Sequence, residues 1–165
     1  MAKTHLKKAE INTYGVLPQV GSVALDFTLV KNDLSNISLK DLKGKKIVLN
    51  IFPSLDTSTC AASVRNFNKA AANLENTIVL CISKDLPFAQ ARFCGAEGIK
   101  NAITASEFRD DNFSNNYGVR LIDSPMKGLL ARAVIVIDEK GIIKYTQLVN
   151  DIVDEPDYDA ALAAL

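Results

Sequence analysis

Lys46-Ile47-Val48-Leu49-Asn50-Ile51-Phe52-Pro53-Ser54-Leu55-Asp56-Thr57-Ser58-Thr59-Cys60 is the stretch from which the rest of the chain can be read. Residues 46–52 form a short apolar run rich in β-branched side chains, the pattern of a strand covered on both faces. Pro53 has no N–H for a ladder, so the strand stops there. Asp56, Thr57, Ser58 and Thr59 can each cap a helix through a side-chain oxygen. Beyond them Cys60, Val64, Phe67, Ala71 and Leu74 recur at spacings of three and four and make one apolar stripe, while Arg65, Asn66, Lys69 and Asn73 fall elsewhere. Strand, loop and helix therefore follow one another, with Cys60 in the first helical turn on the face toward the protein.

Residues 77–83, Thr-Ile-Val-Leu-Cys-Ile-Ser, are a second continuous apolar run. Strand, helix and strand make a βαβ unit with parallel strands and a right-handed crossover. Cys60 then lies at the carboxyl end of the first strand, where open α/β sheets keep their sites. Residues 85–95 read as a helix, with Asp85 as its cap, Pro87 in its first turn and Gly95 as its stop; Cys94 falls in its last turn. Residues 107–117 read as another helix, ended by Gly118. Residues 132–138 are a third apolar strand, turned through Glu139-Lys140-Gly141 into an antiparallel partner at 142–149. A final helix opens at 155–158 with Pro156 in its first position. Upstream, residues 24–30 and 37–39 read as strands, and residues 6–14 as a small N-terminal hairpin.

A chain of 165 residues is one domain spanning 1–165, long enough for a sizeable core. Lys plus Arg and Asp plus Glu each number 19, so no basic excess points to nucleic acid or to an acidic membrane surface. No apolar run is long enough to span a bilayer. The first ten residues carry charges and no apolar core, unlike a secretory signal. Three cysteines, an odd number, argue against a structural disulfide framework and point to a reducing cytoplasm. The single histidine, His5, sits near the terminus, and no C-x-x-C or paired-histidine spacing is present, so neither a Cys–His pair nor a metal site is expected. No G-x-G-x-x-G or phosphate-loop pattern implies a nucleotide cofactor.

Cys60 is the candidate nucleophile. Unpaired N–H groups and aligned peptide dipoles at a helix start favour an anion, and a thiolate is one. Thr57, one turn earlier, carries a hydroxyl able to donate to the sulfur or to a bound oxygen, and Pro53 narrows the pocket without adding a donor. A buried, inert cysteine is the other reading that position allows. Cys81, mid-strand between Leu80 and Ile82, reads as core filling. Arg132 opens a core strand where an apolar residue would be ordinary; it is either an exposed strand-end cation or a fixed charge at the site. Arg65 and Arg92 read as surface or partner-facing.

Pro53-x-x-x-Thr57-x-x-Cys60 resembles the active-site motif of the peroxiredoxins. Residues 50–65 together with 86–98, Leu-Pro-Phe-Ala-Gln-Ala-Arg-Phe-Cys-Gly-Ala-Glu-Gly, are similar to the thiol peroxidase branch, a group of atypical two-cysteine peroxiredoxins. The resemblance runs from about residue 15 to the end and is weakest over the first dozen residues. It implies an α/β, thioredoxin-like fold with a central mixed sheet flanked by helices. It implies Cys60 as peroxidatic nucleophile, Cys94 as the resolving thiol that closes an intrachain Cys60–Cys94 disulfide, and Arg132 against the thiolate. It further implies hydrogen peroxide and alkyl hydroperoxides as substrates, thioredoxin as reductant, a homodimer, and no cofactor. Two other readings stay open on the residues: a general thiol–disulfide oxidoreductase, although Thr57 stands where such proteins carry the first cysteine of C-x-x-C, and a redox sensor that turns over little.

Overall fold

The computed structural model describes residues 1–165. Its centre is the pair of strands β5 (Lys46–Ile51) and β6 (Thr77–Ser83), parallel in register from Lys46↔Thr77 to Ile51↔Ile82 and joined through helix α1 (Ser58–Ala71). Around them a seven-stranded mixed sheet runs β4-β3-β7-β6-β5-β8-β9. β3 (Thr28–Lys31) and β4 (Asn36–Ser38) form one edge, and β7 (Ile103–Ser106) joins them to β6. β8 (Ala133–Ile137) pairs antiparallel with β5 and turns through Gly141 into β9 (Ile143–Leu148) at the other edge.

The β5 run is apolar but for Lys46 at its start and Asn50 because both faces are covered. Ile47, Leu49 and Ile51 join Leu80, Ile82, Ile135 and Ile137 in one buried layer, with Phe113 and Tyr117 packed over it. Val48 and Phe52 face the opposite layer with Val79, Cys81, Val134 and Val136, under Cys60, Val64 and Phe67 of α1. Helix α4 (Tyr158–Ala163) joins that side through Ala161, and α2 (Pro87–Glu97) through Phe93. Both cysteine-bearing helices thus lie on the same face of the sheet.

Several boundaries differ from the sequence reading. α1 ends at Ala71, so Leu74 lies past it. Asp85 does not cap α2; Leu86 takes that position, Gly95 is internal, and Gly98 ends the helix at φ 65°. Helix α3 is only Asn112–Asn116, because Glu107 sits upstream of it as a buried carboxylate that accepts from the Ser114 N–H at 2.6 Å. Asp157, not Pro156, stands at the start of α4, where its side chain accepts from the Ala160 N–H at 2.9 Å. β7 was absent from the sequence reading altogether. Gly118, after α3, is required by space as well as by its φ of 71°: a Cβ there would come within 2.2 Å of the Val16 carbonyl oxygen.

The N-terminal hairpin, β1 (Lys3–Leu6) and β2 (Ala9–Asn12), stands outside the main sheet. Two carboxylates pin it. Asp123 accepts from the Asn12 N–H (2.9 Å) and from its Nδ2 (2.8 Å). Asp151 accepts from the Lys7 N–H (3.1 Å) and the Lys8 N–H (2.8 Å). The Asn12 side chain, then its N–H, holds the Asp123 carboxyl below the ordinary value of 3.8; for Asp151 the Lys8 N–H does most of this, aided by Val153 and Lys7. A carboxyl with a depressed folded-state pKa stabilises the fold above its ordinary pKa, and that contribution disappears as pH falls through the depressed value. The hairpin should therefore loosen below pH 3.8 while the central strands persist. Amide NMR shifts followed down an acid titration check this. Simultaneous loss of residues 3–12 and of β5 and β6 would contradict it.

Candidate active site

β5 delivers the chain to Pro53, which is buried, and the loop 53–57 leads into the first turn of α1. Asp85, just after β6, holds that loop: its carboxylate accepts from the Ser54 hydroxyl (2.7 Å) and the Leu55 N–H (2.8 Å), and from the Ser83 hydroxyl (2.6 Å). Thr57 is the residue before α1, with extended backbone (φ −103°), and its carbonyl accepts from the Ala61 N–H at 3.0 Å. The N–H groups of the first turn have no intrahelical acceptor. Cys60 sits in this turn, 0% exposed. Its face is set by the same spacing that buries Val64 and Phe67.

Arg132 comes to it from across the sheet. Ile51 pairs with Ala133, so the residue preceding β8 stands beside the end of β5. The Arg132 side chain is 1% exposed. Its Nη2 donates to Cys60 Sγ at 3.3 Å and its Nε to the Ile152 carbonyl at 2.9 Å. Nη1 is buried with no hydrogen-bond partner. None of the five ion pairs in the protein includes Arg132. A buried guanidinium without a carboxylate is costly, and it is compensated only by an anion or strong acceptor beside it. The group beside it is a cysteine sulfur at a helix N-terminus.

The other expected residues fall into place unevenly. Thr57 is exposed, and its hydroxyl donates to the Ser54 carbonyl (3.1 Å), not to the sulfur as its spacing had suggested. Cys81 is fully buried; burial pushes its thiol up to about 12, against the opposing effect of the Asn50 amide at 3.6 Å. Cys94 is partly exposed near the end of α2, and its carbonyl accepts from the Gly98 and Ile99 N–H groups. Its sulfur lies 3.5 Å from Thr104 Oγ1 and lines a cleft with Lys31, Asn32 and Asp33. All three cysteines are free. Arg65, read as a surface residue, pairs with Glu97 at 2.8 Å and so links α1 to α2, and exposed Arg92 lies 3.7 Å from Asp56.

Sequence reasoning missed the loop 149–153, whose contribution is made by its carbonyls. Besides Ile152, Val153 accepts from the Thr59 hydroxyl at 3.0 Å. No side-chain chemistry marks such residues. It also missed Asn50, a buried amide facing α1, which donates to the Ser63 hydroxyl at 3.2 Å. An amide inside an apolar strand was the available signal. No group of three or more His, Cys, Asp or Glu side chains is placed to hold a metal ion, and no helix is long and apolar enough to cross a membrane.

Comparison with known proteins adds to this geometry. The sequence profile of the Redoxin family matches residues 19–162. The chain is 61% identical over 165 residues to the thiol peroxidase of Corynebacterium glutamicum, covering 100% of this chain and 99% of that one. Among solved structures, a peroxiredoxin-like protein from Aquifex aeolicus superposes with a TM-score of 0.93 at 37% identity, over 99% of this chain and 95% of the other. The thiol peroxidase from Chromobacterium violaceum gives 0.90 at 20% identity, over 98% and 93%, a likeness of fold. The mixed sheet flanked by helices, with its N-terminal hairpin, is thus a thioredoxin-like fold.

Proposed function

Because the chain belongs to the Redoxin family, we propose that it is a thiol-dependent peroxidase in which Cys60 reduces hydrogen peroxide and alkyl hydroperoxides. The observation that carries this reading is the buried Arg132 guanidinium, which has no carboxylate partner, donates to Cys60 Sγ at 3.3 Å and keeps Nη1 free. The thiolate attacks one peroxide oxygen, the O–O bond breaks, and the leaving alkoxide or hydroxide takes a proton to become alcohol or water. Sulfur gains the other oxygen as sulfenic acid. Charge grows on the leaving oxygen as the bond breaks, and preorganised donors stabilise it there. Arg132 Nη1 is the donor left over for that role. Cys60 is fully covered in this structure, so peroxide reaches it only after a local opening beside the exposed residues Asp56 and Thr57.

In the second step the Cys94 thiol attacks the sulfenic sulfur, water leaves, and an intrachain Cys60–Cys94 disulfide forms. A disulfide requires Cα atoms within about 7 Å. In this structure both thiols are free, with Cys94 packed against Thr104 and Cys60 against Arg132, each near an end of its helix. The helix ends therefore unwind for the bond to close. α2 is suited to it: only Pro87 and Gln90 of its residues are buried, and Gly95 weakens its interior. The Arg65–Glu97 pair that ties it to α1 is solvent-exposed and screened by water, so it adds little to hold the helix end. Thioredoxin as reductant and a homodimeric assembly come to this chain from the family resemblance, and a cytoplasmic setting from its odd number of cysteines. No cofactor enters the scheme.

The test is Cys94→Ser. We expect one equivalent of peroxide consumed in a rapid burst, then little cycling with thioredoxin, whereas the unaltered protein cycles and accumulates the Cys60–Cys94 disulfide by mass spectrometry. Full steady-state turnover by the variant would refute the resolving role. No burst from the reduced, unaltered protein would refute the peroxidase reading itself.

A further inference from the structure

The Arg132 guanidinium that donates to Cys60 Sγ takes its position from a carbonyl, Ile152 O, at 2.9 Å from Nε. That carbonyl belongs to the loop after β9, and the next one, Val153 O, accepts from the Thr59 hydroxyl in the first turn of α1. Two consecutive peptide groups thus hold both sides of the reacting sulfur: the cation on one side and the helix start on the other. A loop has no ladder to fix its carbonyls, so something else must.

The N-terminal hairpin does so. The Thr4 hydroxyl, fully buried, donates to Val149 O (2.8 Å) and to Asn150 O (3.2 Å). His5 Nδ1 donates to Asn150 O at 2.9 Å, and the Ile152 N–H donates to His5 O at 2.8 Å. At the tip of the hairpin Lys7 and Lys8 are both left-handed, at φ 50° and 72°. Asn-Gly or Asp-Gly ordinarily fills such a two-residue turn, and side chains with a Cβ are strained there. Asp151 compensates. Its carboxylate takes the N–H groups of Lys7 (3.1 Å) and Lys8 (2.8 Å) from the hairpin and of Val153 (3.2 Å) from its own loop. It is 8% exposed and stands next in sequence to the carbonyl that holds Arg132.

We propose that Asp151 is a positioning residue for the peroxide reaction: by clamping the Lys7–Lys8 turn onto the loop 149–153, it aims the Ile152 carbonyl at Arg132 and so fixes the guanidinium against Cys60. The inference rests on the peroxidase reading above. It assigns the N-terminal hairpin a part in the chemistry although no hairpin side chain touches the sulfur. A misplacement of a donor by even 1 Å can cost on the order of 10²-fold in rate.

The test measures the single-turnover rate of the reduced protein with hydrogen peroxide for Asp151→Ala and Asp151→Asn, beside the rate of Cys60 alkylation by iodoacetamide, which has no peroxide leaving oxygen to stabilise. Asp151→Ala is expected to slow the peroxide reaction by roughly 10- to 100-fold and to leave alkylation within threefold. Asp151→Asn keeps one carbonyl acceptor and is expected to fall between. In an Arg132→Lys background, Asp151→Ala should add less than threefold, because the two act through one contact. A fall in melting temperature with an unchanged peroxide rate would make Asp151 merely structural and overturn the proposal. So would equal losses in both reactions, or full additivity with Arg132→Lys. Should Asp151→Ala not fold, Lys7→Gly with Lys8→Gly, which relieves the turn's strain, is combined with it; an unchanged peroxide rate in that protein overturns the proposal too. If the unaltered protein itself does not react with peroxide, the peroxidase reading fails, independently of these outcomes.

Discussion

Cys60→Ser should consume no peroxide above background while keeping the fold. A serine hydroxyl stays protonated near neutrality and cannot accept a peroxide oxygen to form a stable sulfenic-type product, so the proposed step loses its nucleophile outright. Removal of a catalytic nucleophile elsewhere costs roughly 10⁶ in turnover, and a loss to the background rate is expected in a coupled assay with thioredoxin and its reductase. The substitution is nearly isosteric, and Arg132 Nη2 can still donate to the oxygen that replaces the sulfur 3.3 Å away. The thermal midpoint should therefore move little. Retention of more than a tenth of the steady-state rate would remove Cys60 from the role. The same experiment on Cys81 separates chemistry from packing: its thiol, pushed up to about 12 by burial in the layer of Val48, Val79 and Val134, takes no part in the scheme.

Arg132→Met is expected to act on rate far more than on stability. Methionine fills much of the same volume without charge or donors. Loss of a preorganised donor from a desolvated site costs about 10² to 10³ in rate, and that loss is expected in the second-order reaction with peroxide. Stability should change little, because relief from burying a cation that is 1% exposed is offset by an Ile152 carbonyl left without its donor. Arg132→Lys separates charge from shape. An ammonium keeps the cation but cannot donate in a fixed fork to Ile152 O and Cys60 Sγ at once. It should recover part of the rate, not all of it. Stopped-flow rates with calorimetry on the three proteins check both halves. A peroxide rate within threefold of normal for Arg132→Met would show that the guanidinium serves packing alone.

Where the sequence reading succeeded and where it failed follows from what each segment buries. β5, β6 and β8 bury aliphatic side chains on two faces, so their runs are continuous and their identity is legible without neighbours. β7 escaped notice because Ile103-Thr104-Ala105-Ser106 buries hydroxyls. Thr104 Oγ1 donates to Asn32 Oδ1 at 2.6 Å and Ser106 Oγ to the Asp85 carbonyl at 2.5 Å. Partners that distant are invisible to a pattern of apolar residues. Asp85 was misread as a helix cap for the same reason. An aspartate before a helix has the right chemistry for a cap, but this carboxylate is taken by Ser54, Leu55 and Ser83. Thr57 was aimed at the sulfur by its spacing along one helix, whereas its hydroxyl turns back to the Ser54 carbonyl three residues away.

The amino-acid sequence alone determined that a cysteine opens a helix behind a doubly buried strand, because strand, stop and helix are each set by neighbours within a turn or two. Tertiary structure decided what surrounds that cysteine. Arg132 is 72 residues away in the chain, and it reaches Sγ only because β8 runs antiparallel to β5 with Ala133 opposite Ile51. The carbonyl that holds it comes from a loop pinned, partly through Asp151, by a hairpin nearly the whole chain length distant. Backbone groups are the same at every residue, so which of them faces a guanidinium is settled by packing and register.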